Sequence, residues 1–221
     1  MSQALLTRTL DPADCLTPTH FIDSQHPLIE SLAAQLTDNR DQQATAVRLF
    51  TYVRDDVLYE FRAKTAPDQY VASHVLEQQR GFCVQKAILL CALGRAARIP
   101  TALVVSDLRD HTLPPKITAA MGTDTMFHHG LNAFFLDGRW LLADASLSPD
   151  VVTRKQFRAV EFNGSADALH ATTRLDGTPH AEYVHFHGMY ADLDYESMMK
   201  AFMAAYDQAD PQALNDLGYR M

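Results

Sequence analysis

Cysteine is scarce in this chain. Cys15, Cys83 and Cys91 are the three in 221 residues, too few and odd in number for a disulfide framework. Long apolar runs are absent: no stretch approaches the roughly 18 residues that mark a membrane-crossing helix. The opening MSQALLTRTLDPADC lacks the charged start and apolar run of a secretory signal. These absences lead us to expect a cytoplasmic protein with free thiols and no membrane partner. Positive charge is in the minority, with Lys+Arg 19 against Asp+Glu 27 and a formal net charge of -8, so no global attraction to nucleic acid is expected. Repeats, low-complexity tracts and a dividing linker are also missing, which predicts one domain over 1–221. With 47% hydrophobic and 21% charged residues, the composition is that of a globular chain with an ordinary core.

The first 25 or so residues are turn-rich, with Asp11-Pro12 and Thr17-Pro18. Leu28, Leu32 and Leu36 recur at helical spacing after Pro27, a residue suited to a first helical position. Asp38-Asn39 breaks that run, and a second helix after Asp41 carries Leu49, Val53 and Val57 on one stripe. Residues 58–62 alternate like a short strand. Ser73 is placed to cap a short helix over 74–79, which Arg80-Gly81-Phe82 interrupts. From Cys83 to Ala97 the residues are apolar nearly all round, predicting a buried central helix. Residues 101–105 read as a buried strand, and 107–127 as a long loop or lid. Residues 130–136 and 139–145 flank Asp137-Gly138, the preferred pair for a two-residue hairpin turn. Residues 151–180 are mixed, 181–190 a further strand, 195–205 a helix and the last ten residues a tail.

Cys83 opens the buried helix just after a glycine-containing break. A helix N-terminus favours negative charge, hence thiolate over thiol, and its free amides suit a developing oxyanion. Cys91 lies two turns further in and reads as a small buried hydrophobe. A thiolate nucleophile needs a proton partner, usually histidine, and the hairpin register selects one of the ten histidines. If Leu136 pairs with Arg139, then Leu131 faces Asp144 and His129 faces Ser146. His129 and Leu131 share a face. Asp144 on that face is diagonal to His129, and such cross-strand neighbours sit about 7–8 Å apart, within reach of longer side chains. His128 points the other way.

In combination these segments resemble the transglutaminase-like superfamily. Residues 80–87 and 95–100 (RGFCVQKA and RAARIP) are similar to its nucleophile helix, and residues 129–144 (HGLNAFFLDGRWLLAD) to its histidine strand, Asp-Gly hairpin and aspartate strand. Tyr52-Val53-Arg54-Asp55-Asp56-Val57 has the family's look, and the resemblance covers about residues 45–146. It implies an α+β, papain-like fold with the nucleophile helix buried against an antiparallel sheet and a strand and helix extension at 181–210. It also implies a catalytic triad: Cys83 as nucleophile, His129 as general base and then acid, Asp144 as the group orienting the imidazole. The implied chemistry is cysteine-dependent acyl transfer through a thioester, as in a protease, amidase or acyltransferase, on a peptide, protein or small amide. Gln78 or Gln79 is a candidate oxyanion donor beside the Cys83 amide.

The sequence departs from the family where His129-Gly130-Leu131 replaces a common His-Ala-Trp. It also lacks the Asp-x-Asp-x-Asp-Gly calcium loop, which disfavours calcium-dependent cross-linking. No cofactor is expected. His185 and His187 fall on one strand face and could bind zinc with a third ligand, yet no Cys/His pair of metal spacing accompanies them, so the expected metal set is none. Arg154, Lys155 and Arg158 read as a solvated basic run. The alternative to an enzyme is a binding module that keeps the fold with an idle triad.

Overall fold

A computed structural model describes residues 10–38, 41–62 and 64–216. Residues 1–9 of the stretch read for a secretory signal, Asn39 of the expected break and residues 217–221 of the expected tail lie outside these. The helices are α1 (Pro27–Leu36), α2 (Gln42–Asp55), α3 (Ala72–Gln78), α4 (Cys83–Ala96), α5 (Pro115–Met121), α6 (Pro149–Lys155), α7 (Tyr195–Ala205) and α8 (Pro211–Asp216). The strands are β1 (Leu58–Tyr59), β2 (Arg80–Gly81), β3 (Thr101–Asp110), β4 (Thr125–Leu136), β5 (Arg139–Ala143) and β6 (Ala181–Tyr190). The four long strands form an antiparallel sheet in the order β5-β4-β3-β6, and β1 pairs with β2 in parallel. The architecture is α+β, with helices packed on an antiparallel sheet, as the sequence led us to expect. No helix among the described residues is long and apolar enough to cross a membrane.

Helix α4 is the centre of the larger core. Every residue from Cys83 to Arg95 is buried, because α1, α2 and α3 pack around it and β3 and β4 lie beneath. Two cations are buried with it, and each is held by carbonyls rather than by a carboxylate. The Arg95 guanidinium donates to the carbonyls of Thr17, Thr101 and Ala191 at 2.6–3.2 Å, which fastens the N-terminal lead-in to the start of β3 and the end of β6. Lys86 Nζ donates to the Val57 carbonyl at 2.6 Å and the Arg54 carbonyl at 3.3 Å. Burial pushes Lys86 down to about 7 against the opposing pull of Asp144 and Asp55. Each cation thus satisfies carbonyls where chain segments meet the helix, a use of buried charge that needs complete hydrogen bonding.

The hairpin register is the expected one. Leu136 pairs with Arg139 and Asn132 with Ala143, and Asp137 and Gly138 both have positive φ (50° and 77°), as the two-residue primed turn requires. The sheet is apolar on both faces. Leu103, Val105, Phe134 and Leu136 join the α4 core, while Ala102, Val104, Leu131 and Ala133 form a second cluster with Cys15, Trp140 and Leu142.

Four local expectations are corrected. Residues 107–127 are not a loop: β3 continues to Asp110, α5 follows, and β4 begins at Thr125. Bulges opposite Ser106–Leu108 let the strands stay paired through polar residues that broke the alternation. The strand at 58–62 shortens to Leu58–Tyr59, since only Arg80 and Gly81 are there to pair with it. Helix α3 starts at Ala72, and the Ser73 amide donates to the Asp23 carboxylate at 3.0 Å instead of Ser73 acting as cap. Within the expected tail, α8 packs on α5 through Leu214.

Gly130 is where strand and helix meet most closely. A Cβ there would lie 2.6 Å from Val84 Cα and 3.1 Å from Val84 N, so the first turn of α4 rests on bare β4 backbone. Gly130→Ala is expected to force the two apart and lower stability by about 1–3 kcal/mol. A urea midpoint unchanged by this substitution would contradict the contact.

Candidate active site

Cys83, His129 and Asp144 arrive from three elements. Cys83 is the first residue of α4, His129 lies on β4 one residue before Gly130, and Asp144 follows the last residue of β5. The absence of a side chain at Gly130 lets the start of the helix approach β4, and Cys83 and His129 border the same cavity, close enough for the sulfur to act on the imidazole electrostatically. His129 Nε2 meets Asp144 Oδ2 at 2.5 Å. With Nε2 donating to the carboxylate, Nδ1 is the nitrogen left for the sulfur. All three residues are buried, Asp144 completely.

The chain direction at His129 is set by a bulge. His128 takes a left-handed conformation with φ 55°, and its amide donates to Asp107 Oδ1 at 3.1 Å. Asp107 sits at the register shift of β3 and also bonds His187 Nε2 at 2.8 Å. His128 accordingly points away from the site and stacks on His187 with centroids 4.7 Å apart. Burial, then the neighbouring His187, push His128 down.

Asp144 is surrounded by donors. Tyr183 Oη on β6 donates to Oδ2 at 2.7 Å, and the Ser146 amide donates to Oδ1 at 3.0 Å. His170 Nε2 lies 3.4 Å from Oδ1 and 3.0 Å from Ser146 Oγ. His170 comes in on a strap that runs beside β5, where the Ala168 carbonyl accepts from the Asp144 amide at 2.9 Å. Burial alone would raise the Asp144 carboxyl. The charges of His170 and His129 and their hydrogen bonds outweigh it and hold the carboxyl well below its usual range. Burial would likewise lower His129, but the Asp144 carboxylate and the Cys83 sulfur outweigh it and raise the imidazole to about 10. Burial pushes the Cys15 thiol up to about 11 and the Cys91 thiol up to about 12. Cys91 Sγ accepts from Asn132 Nδ2 at 3.1 Å on the way from helix to sheet.

Gln78 and Gln79 are not brought to this site. Both are exposed. Gln79 ends α3 in a left-handed conformation, and its side-chain amide donates to the Leu76 carbonyl at 2.7 Å and to Tyr52 Oη at 3.1 Å. Tyr59 is the side chain the sequence reading missed. It borders the same cavity as Cys83 and His129, and burial followed by the Cys83 charge pushes its hydroxyl well above the ordinary range. Its only sequence signal is indirect: β1 pairs with β2, which leads into Cys83. Tyr183 and His170 were missed for want of any local pattern.

His185 and His187 do not converge with a third ligand. Among the described residues, the one trio close enough to hold an ion is His129, Asp144 and His170, whose ligand atoms lie within 4.8 Å of one another. The direct 2.5 Å contact between His129 and Asp144 gives a proton the place an ion would need.

If the pair is as described, His129 is expected to titrate near pH 10, and Asp144→Asn is expected to move it back toward 6.5. Because the folded value is raised, the pair stabilises the fold fully below about pH 6.5, and that stabilisation is lost as pH rises toward 10. Side-chain nitrogen NMR of the imidazoles checks this, and an ordinary titration in the unsubstituted protein would contradict it.

Comparison with known proteins follows the same lines. A family model described as the transglutaminase-like superfamily matches residues 30–145, just over half of the chain. No curated protein matches. Among solved structures, the chain is similar to a candidate cysteine protease from Cytophaga hutchinsonii (20% identity, TM-score 0.46), covering 65% of this chain and 46% of that one. It is also similar to the periplasmic domain of TgpA from Pseudomonas aeruginosa (20% identity, TM-score 0.43), covering 62% of this chain and 48% of that one. A candidate protease from Parabacteroides distasonis is 17% identical (TM-score 0.41), with 72% and 30% covered. The chain therefore spans less than half the length of each of these three structures.

Proposed function

The chain belongs to the transglutaminase-like superfamily, and on that premise we propose that it is a cysteine-dependent acyl-transfer enzyme acting on an amide or peptide bond. The observation that carries the reading is that Cys83 and His129 border a cavity of about 450 Å³ while Asp144 holds the imidazole from behind. A raised imidazole keeps its proton at neutral pH, and we take the reacting form to be the Cys83 thiolate beside that imidazolium. The Cys83 sulfur attacks the substrate carbonyl carbon, and the oxyanion forms near the Cys83 amide and the Tyr59 hydroxyl. The carbon–nitrogen bond then breaks, the His129 proton goes to the departing amine, and a thioester remains on Cys83. His129, now neutral, takes a proton from the acceptor as it attacks the thioester. Water as acceptor gives hydrolysis, which we favour, and an amine gives transfer. Thiolate and acid are restored together. Asp144 holds the imidazole in the required tautomer, and Tyr183 and the Ser146 amide hold Asp144.

The test uses an activated ester. After brief exposure to p-nitrophenyl acetate and acid quenching, intact mass and peptide mapping are expected to find one acetyl group on Cys83, released by hydroxylamine. Cys83→Ala is expected to abolish the adduct, and His129→Ala to slow its formation by about 10²-fold or more, in the range for loss of a positioned acid or base. Acetylation that ignores His129 would remove the enzyme reading and leave a transglutaminase-like fold used for binding.

A further inference from the structure

Resting on the acyl-transfer reading above, we propose that the group delivered to Cys83 is a bulky apolar acyl chain with a carboxylate at its far end. The cavity of about 450 Å³ is of a size that holds a small ligand rather than a folded segment. Much of its wall is apolar and aromatic, with Phe61, Phe82, Met126, Phe127, Phe157 and Phe202 among its residues. Its roof is a built structure. Helices α5, α7 and α8 form a hydrophobic cluster of their own around Met121, Tyr206 and Leu214. Tyr206 Oη accepts from the Phe127 amide at 2.9 Å and donates to the Thr125 carbonyl at 3.2 Å, and the Asp210 amide donates to the Ala120 carbonyl at 2.7 Å. A roof pinned at three points encloses apolar space that its own side chains do not fill.

One buried polar atom belongs to a residue of that space. His180 is 2% exposed and borders the cavity, and its Nδ1 has no hydrogen-bond partner among the described residues. A buried ring nitrogen of this kind calls for a partner, and a polar group of a ligand in the cavity would supply one. Burial, then His170, push His180 down to about 4, so it adds no charge to the wall.

The wall that the cavity shares with its neighbouring cleft is cationic, in a chain of net charge -8. Arg154 and Lys155 line both the cavity and an adjoining cleft that also holds His111 and Arg174. No described carboxylate is paired with Arg154. The two carboxylates on the cavity wall are already engaged: Glu60 with Lys64 Nζ at 2.8 Å, and Asp110 with the Thr112 amide and hydroxyl. An apolar body ending in a carboxylate therefore matches an apolar cavity that meets a cationic cleft, with the ion pair setting orientation and specificity more than affinity.

The experiment compares three p-nitrophenyl esters: acetate, octanoate and the mono-ester of octanedioic acid. Each transfers its acyl group to Cys83 with release of p-nitrophenolate. We expect kcat/KM, corrected for uncatalysed hydrolysis, to be about tenfold or more higher for octanoate than for acetate, and several-fold higher again for the octanedioate mono-ester. The octanedioate-to-octanoate ratio is expected to fall toward one in Arg154→Gln/Lys155→Gln, and partway in Arg154→Gln alone. Acetate reacting as well as the long esters, or octanoate preferred over its anionic counterpart, would overturn the proposal while the triad stands. Failure of every ester to acylate Cys83 in a His129-dependent manner would instead overturn the reading on which it rests.

Discussion

A carboxylate taken fully out of water is tolerated only when donors close around it, and Asp144 is such a group. It accepts from His129, Tyr183 and the Ser146 amide, and His170 stands at its other oxygen. These partners come from β4, β6, the turn after β5 and the strap beside β5, so the charge ties together the end of the sheet. Removing the carboxylate would leave a buried imidazolium without its counter-charge, a change that typically costs about 3–5 kcal/mol. The same arrangement that stabilises this corner of the fold fixes the imidazole's tautomer and its proton. Structure and proposed chemistry therefore rest on one interaction, and the approach of α4 to β4 at Gly130 brings the thiol to it.

Much of this site was legible because a two-residue turn leaves no freedom in register. Asp137-Gly138 dictates that Leu136 faces Arg139, and the ladder carries that pairing to Asn132 and Ala143, which leaves Asp144 within reach of His129. The buried helix was legible from apolar residues on all its sides. What stayed hidden was set by tertiary contact. The run 107–127 carries prolines and charges and reads as a loop, yet bulges at Ser106–Leu108 accommodate the irregularity and the strands pair on either side of α5. Tyr59 gains its position from a two-residue parallel pairing with no sequence signature. His170 lies on an irregular strap whose register is set by backbone bonds to β5. Gln78 and Gln79 were plausible by proximity in sequence to Cys83, but the left-handed end of α3 keeps them on the surface.

The departure at Gly130 looks different once packed. A side chain there would enter the backbone of Val84, so glycine permits the close approach of helix to strand. The third hydrophobic cluster shows a similar division of labour. Helix α7 joins the α4 core through Tyr195 and Met198 at its start, while its later residues, with α5 and α8, form a separate cluster that borders the cavity at Cys83. The fold thus joins a corner fixed by buried charge to a cap whose packing borders the same cavity.

Activation of Cys83 by His129 is tested most directly by the pH dependence of Cys83 alkylation by iodoacetamide. The measurement uses protein with Cys15→Ala and Cys91→Ala, with and without His129→Ala. The account predicts fast alkylation persisting below about pH 7, slowed by about tenfold or more when His129 is removed. Slow alkylation that rises only near the ordinary thiol range of about 8.5, and is the same in both proteins, would contradict it.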